Sequence, residues 1–165
     1  MIMLSEINAA LLPDFLARFG DVAEHSPWVA REAANFRPFA SREDMISSFV
    51  RAVRSANRDA QLALIRAHPD LATKARLTED SSKEQAGAGL GTLTVEEYAR
   101  FTVLNNAYKS KFGFPFIFAV KGVTKRMILD AFESRVDNDP AHEFATAIDQ
   151  VCRIFRFRIE DRVAP

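Results

Sequence analysis

The sequence predicts an all-α protein, a compact single-domain bundle of about seven to nine helices with no significant β-sheet. Three observations lead there. Helix-start signatures recur along the chain: Ser41-Arg-Glu-Asp44, Asn57, Thr94-Val-Glu-Glu97, Thr124 and Asp139-Pro140. Apolar residues follow each start at three- and four-residue spacing, the period of a helix with one buried face. Only Phe114 to Val120 has strand-like composition, and a lone strand has nothing to pair with.

Taken in order, Ser26-Pro27 reads as an N-cap followed by proline at the first helical position, starting the Trp28 segment. Ser41 opens a helix to about Ser55, with Met45, Phe49, Ala52 and Val53 on one face. Asn57 caps the next, which carries Leu62 and Ile65. That helix must stop near His68, because Pro69 disfavours a helical residue before it. Thr94 and Glu97 form a capping box for a long helix with Tyr98, Phe101, Asn105 and Tyr108 roughly in line. Gly113 closes it. Phe114 to Val120 is then read as an apolar, largely buried loop. Thr124 opens a helix through Met127, Ile128, Ala131 and Phe132. Asp139-Pro140 starts the last, expected to run to about Arg162. No internal repeat, linker or low-complexity tract interrupts residues 1–165, so one domain is expected.

Composition narrows the function. The chain has 165 residues, 48% of them hydrophobic, enough to bury a core of its own. With 22 basic and 22 acidic residues, it has no net positive charge to attract nucleic acid or an anionic membrane. One cysteine, Cys152, excludes an internal disulfide and a multi-cysteine metal site, and is expected as a small buried hydrophobe. The spacings of His25, His68 and His142 match no common metal-ligand pattern, so no metal is expected. The N-terminus lacks a basic region before its apolar residues, and Glu6 and Asp14 interrupt it. No apolar run approaches membrane-spanning length, and the ending Val163-Ala164-Pro165 is not a peroxisomal address. A soluble cytoplasmic protein is the expectation.

The candidate site is the stretch from Leu77 to Leu90 with His68-Pro69-Asp70-Leu71-Ala72 just upstream. Ser81-Ser-Lys-Glu84 has capping-box spacing, so a purely structural helix start is one reading. The other uses the same geometry: free N–H groups and a positive dipole end suit an anionic ligand. Glu84 lies one turn in, Gln85 offers a donor and an acceptor, and Ala86 to Gly89 allow close approach. His68 is either a ring ending a helix or a proton donor and acceptor near neutral pH, its pKa raised by a nearby Glu84. In the last helix the stripe Phe144, Ile148, Val151, Ile154/Phe155 continues onto Arg158, which therefore points inward, unlike Arg153 or Arg156. Its guanidinium needs a partner there: an internal salt bridge, or a planar anion or carbonyl of a ligand. The irregular segment from Lys111 to Val120 is expected to leave backbone N–H and C=O groups for a flat, polar heterocycle.

Together, His68-Pro-Asp-Leu-Ala, Ser81-x-x-Glu84-Gln85-x-x-Ala88-Gly89-Leu90 and Phe112-Gly-Phe-Pro-Phe-Ile117 resemble the 2-oxo-4-hydroxy-4-carboxy-5-ureidoimidazoline (OHCU) decarboxylase family, in order, spacing and nearly whole-chain extent. The resemblance implies a compact helical homodimer acting in urate breakdown. It implies loss of CO2 from an unstable intermediate to give (S)-allantoin, without a cofactor. His68 resembles the catalytic histidine and Glu84 its carboxylate partner. Pro69, Ser81, Gln85 and the backbone of Phe116, Ile117, Phe118, Ala119 and Val120 resemble substrate-contacting positions, and Arg158 a binding arginine. The chain departs from the family at Ile154-Phe155, where Ile-Ala is frequent, and in its more polar ending at Arg162. Both departures bear on Arg158 rather than on His68. Two other functions fit the residues alone: a non-catalytic helical ligand-binding module, and a cyclic-amide hydrolase in which His68 and Glu84 activate water.

Overall fold

Nine α-helices and one 3-10 turn make up the regular structure of the computed structural model, which describes residues 1–72 and 79–165. The helices are α1 (Leu4–Ala9), α2 (Leu12–Phe19), α3 (Trp28–Ala34), α4 (Arg42–Arg54), α5 (Arg58–Arg66), α6 (Glu79–Gly87), α7 (Val95–Phe112), α8 (Lys125–Arg135) and α9 (Pro140–Arg162), with the 3-10 turn at Leu90–Thr92. The all-α expectation holds: the described residues contain no sheet, only an isolated parallel bridge between Ile2 and Val163. None of the described helices is long and apolar enough to cross a membrane.

Most of the predicted starts are built as their chemistry requires. Ser41 Oγ accepts from Asp44 N–H at 3.0 Å and Asn57 Oδ1 from Ala60 N–H at 2.8 Å. Thr94 and Glu97 complete the capping box with bonds of 3.1 and 3.0 Å, and Thr124 caps α8. Gly113 ends α7 at φ 75°, the left-handed conformation that glycine adopts without Cβ strain. One expectation fails locally. The Ser26 hydroxyl donates to the Glu24 carbonyl at 3.0 Å instead of capping α3, whose first residue is Trp28. Met127 lies in α8 as expected and is 51% exposed: the buried stripe of that helix runs through Ile128 and Phe132 to Arg135. Helices α1 and α2 lack a capping side chain on the N-cap residue itself; at α1 the Glu6 carboxylate accepts the Met3 N–H at 2.9 Å, and α2 carries Pro13 in its first turn, signals that the sequence reading passed over.

The chain divides into two compact units. The first comprises Met1–Ala67 and Val151–Pro165. Its core is aromatic: Phe15 packs against Phe19, Phe39 and Phe49 at 5.2–6.4 Å between ring centroids, and Phe49 meets Phe155 edge-on. The second, His68–Gln150, packs Tyr108 edge-on against Phe116 and Phe132, and Phe101 edge-on against Phe132. Phe116 lies flat on Phe132 at 3.8 Å. As expected, Phe114 to Val120 forms no strand and is largely buried, and Cys152 is buried too.

Candidate functional site

The second unit opens with the predicted histidine. His68 follows the end of α5 and is 7% exposed, with its Nε2 fully buried. Pro69 prevents the helix from continuing through it. The turn that follows is left-handed at Ala72, φ 57°, a conformation that costs a non-glycine residue free energy. Three side chains hold it there. Gln85 Oε1 accepts the Ala72 N–H at 3.0 Å, Asn105 Nδ2 donates to the Leu71 carbonyl at 2.9 Å, and Lys109 Nζ pairs with Asp70 at 2.6 Å. Asn105 and Lys109 are one turn apart on α7, so one helix face grips consecutive residues of the turn.

Helix α6 supplies a second wall. Ser81, Gln85 and Ala88 are buried and Glu84 half-buried, whereas Ser82, Lys83, Ala86 and Gly87 are exposed. Spacings of three and four put the first set on one face. The capping-box reading of Ser81 is corrected here: the chain is already helical at Glu79, so Ser81 lies within the first turn rather than at its cap. Leu77 and Thr78, the start of the predicted stretch, lie outside the described residues. An open groove of about 530 Å³ runs along Ala72, Leu90, Gly91, Leu93, Thr94, Val95 and Tyr98. It borders the predicted stretch at Ala72 and Leu90, but His68, Pro69, Ser81, Glu84, Gln85 and Arg158 are not among its lining residues.

The buried segment Phe116 to Val120 differs from expectation in one respect. Two of the backbone groups expected to be open to a ligand already have protein partners. Arg135 Nη1 donates to the Ile117 carbonyl at 2.7 Å, and the Ala119 N–H donates to Gln150 Oε1 at 2.9 Å. Buried backbone groups off any ladder must find partners, and side chains supply them here. Arg135 also stacks over Phe116 at 4.3 Å from ring centroid. Its charge is balanced by Glu143, which has no exposed surface and accepts from Arg135 Nη2 at 2.9 Å, from Asn138 at 3.0 Å and from the Tyr108 hydroxyl. Burial alone would push the Glu143 pKa up, but the bonds from Arg135, Tyr108 and Asn138 outweigh it and hold it below the ordinary value. Burial, with Glu143 as acceptor, raises that of Tyr108.

Arg158 belongs to the first unit, and there it finds the internal partner that was one of the two expectations for it. It is 3% exposed, as the α9 stripe requires. Its Nη1 pairs with the fully buried Glu24 at 3.0 Å and reaches the Val22 carbonyl at 3.2 Å.

Sequence reasoning passed over Asn105, Lys109, Arg135, Glu143 and Gln150. Two had a usable signal. Asn105 is the polar member of an otherwise aromatic stripe, and Arg135 continues the Ile128–Phe132 line just as Arg158 continues the line of α9.

Fold and site define a helical protein in which a pinned turn presents a buried histidine. Comparison makes this specific. The OHCU decarboxylase profile matches residues 8–160, and the chain belongs to this family of carboxy-lyases. It is 43% identical over 159 residues to the 2-oxo-4-hydroxy-4-carboxy-5-ureidoimidazoline decarboxylase of Haloferax volcanii, covering 96% of this chain and 95% of that one. It is 42% identical over 158 residues to the uric acid degradation bifunctional protein PucL of Bacillus subtilis. That match takes in 96% of this chain but only 31% of the longer protein. The crystal structure of (S)-allantoin synthase superposes with a TM-score of 0.81 at 28% identity, over 98% of this chain and 54% of that one.

Proposed function

We propose that this protein converts OHCU to (S)-allantoin with loss of CO2, in urate degradation. The observation that carries the proposal is the buried His68-Pro69 turn, tied by Gln85 to an α6 face of Ser81, Glu84 and Gln85, in a chain matching the family over residues 8–160. The substrate carboxylate sits beta to an imine. When its C–C bond breaks, CO2 leaves and the electron pair moves into the ring. A proton delivered to one face of the neighbouring, ureido-bearing carbon then sets the (S) configuration, and the hydroxyl on the carbon that lost CO2 gives up its proton to become the ring carbonyl. This chemistry asks the protein for orientation, charge stabilisation and one proton.

In this reading His68 manages the proton at the substrate hydroxyl or ring, and Glu84 orients it. Pro69, Ser81, Gln85 and the Phe116 to Val120 backbone hold the ring and ureido group. The bonds already made to Ile117 and Ala119 favour a rigid segment over an adaptable one, which suits a site that orients its ligand. Arg158 enters on resemblance alone, as a further group for a substrate carbonyl. The resemblance likewise suggests a homodimer that needs no cofactor, and a cytoplasmic location is the reading of its composition.

The test is optical. Fresh OHCU is mixed with enzyme and allantoin formation is followed by circular dichroism. The expected result is rapid formation of the (S) enantiomer. Racemic allantoin at the background rate would remove the decarboxylase reading. Ring opening without CO2 release would favour a cyclic-amide hydrolase.

A further inference from the structure

Asn105 stands apart among the residues that hold the histidine turn. It is 7% exposed, on the inward face of α7 between Phe101 and Tyr108. Its Nδ2 donates to the Leu71 carbonyl at 2.9 Å. A carbonyl only accepts, so this bond fixes which end of the amide faces the turn. The other end, Oδ1, is buried and receives no hydrogen bond from the described residues. Buried polar atoms are nearly always satisfied, and one left unmet in a native fold calls for a partner from outside. The two ends of an amide lie only about 2.2 Å apart, given the lengths of its C=O and C–N bonds. Oδ1 is therefore held beside the same turn that carries His68 and cannot swing away while Nδ2 keeps its bond.

We propose that Asn105 is a substrate-binding residue: Oδ1 accepts an N–H of the bound ligand, and Nδ2 keeps it aimed by anchoring to Leu71. The ligand class is a ureido- or cyclic-amide compound, whose N–H groups are the donors that the surrounding side chains leave to be supplied. Water would also satisfy Oδ1, but it would not couple this residue to ligand affinity. The inference rests on the decarboxylase reading and adds a contact that neither the turn nor the α6 face provides. The amide also acts at both ends, so that one side chain couples the fit of the ligand to the position of the turn.

The test uses Asn105→Leu and Asn105→Ala, with (S)-allantoin as the binding probe and OHCU as substrate. Leucine keeps the branched shape of asparagine but is bulkier and has no acceptor, and alanine is smaller, so the pair removes the unmet buried oxygen with opposite changes in volume. Loss of one hydrogen bond at the upper end of the usual range corresponds to roughly a tenfold fall in (S)-allantoin affinity and in kcat/KM. Both variants leave the Leu71 carbonyl without its donor, so the melting temperature should fall by a few degrees, and the upward shift that allantoin gives the wild type should shrink as well. A purely structural asparagine predicts the lower melting temperature alone, with unchanged affinity and kcat/KM in the folded variants. Folded variants that bind allantoin and turn over OHCU like the wild type would overturn the inference and leave the decarboxylase reading intact. A wild type that yields only racemic allantoin would overturn both.

Discussion

Replacing Glu143 by glutamine isolates the charge that holds the second unit's polar core together. The carboxylate has no exposed surface, and the Arg135 side chain facing it is only 10% exposed. Glutamine keeps the shape but leaves a guanidinium buried without a counter-charge. Removing one partner of a buried pair costs about 3–5 kcal/mol. Glutamine retains one acceptor for Arg135, Asn138 or Tyr108, so the lower end, about 3 kcal/mol, is expected. For a chain of this size that is a fall in Tm of about 6–12 °C, read by calorimetry or far-ultraviolet circular dichroism. The acid limb supplies a second signature. The folded-state pKa of Glu143 is depressed below its usual 4.5, so its stabilisation is complete above the unfolded value. It is lost as pH falls through the folded one. Urea midpoints of wild type and Glu143→Gln should therefore converge as pH drops below about 4.5. Arg135→Met combined with Glu143→Leu should recover part of the loss, because an apolar pair leaves no buried charge. Recovery should stop short of the wild type, since the Ile117 carbonyl loses its donor. A Glu143→Gln variant melting within about 2 °C of wild type, with a parallel acid limb, would refute this account of the core.

Three further outcomes are expected. His68→Asn should lower kcat about 10²–10⁴-fold, the usual worth of a general acid–base group, with the protein still folded by circular dichroism. Wild-type turnover would reject the histidine. Glu84→Gln should reduce kcat by more than its change in Tm explains. Matched losses of activity and stability would make Glu84 a structural residue of α6. Thr94→Ala removes the hydroxyl that accepts the Glu97 N–H and should destabilise the protein by about 1 kcal/mol, lowering Tm by a few degrees without altering KM.

Much of the architecture was legible along the chain, because helix capping is local chemistry. Ser41, Asn57, Thr94 and Thr124 each reach a backbone N–H three residues on, and nothing distant is needed to place them. The same locality let the stripe of α9 place Arg158 inward and let Pro69 end the helix before His68. Where the N-cap residue is apolar, as Met3 at α1 and Leu11 at α2, the signal is weaker: it lies in Glu6, which accepts the Met3 N–H, and in Pro13. Ser81 shows the opposite failure: a capping-box spacing that the chain does not use, because helix α6 has begun by Glu79.

Residue types, their order and the three motif blocks are properties of the sequence itself. From them came the helical class, the family, and His68, Glu84 and Gln85 as candidates. Which groups meet was decided by the tertiary structure alone. Asn105 reaches Leu71 across 34 residues, Lys109 reaches Asp70 across 39, and Gln150 reaches Ala119 across 31. Such bonds leave no periodic trace, since either partner taken alone is an ordinary polar residue on a helix or in a turn. Burial selects them: a desolvated carbonyl or carboxylate must be met by whatever donor the packed fold brings to it, however far away along the chain.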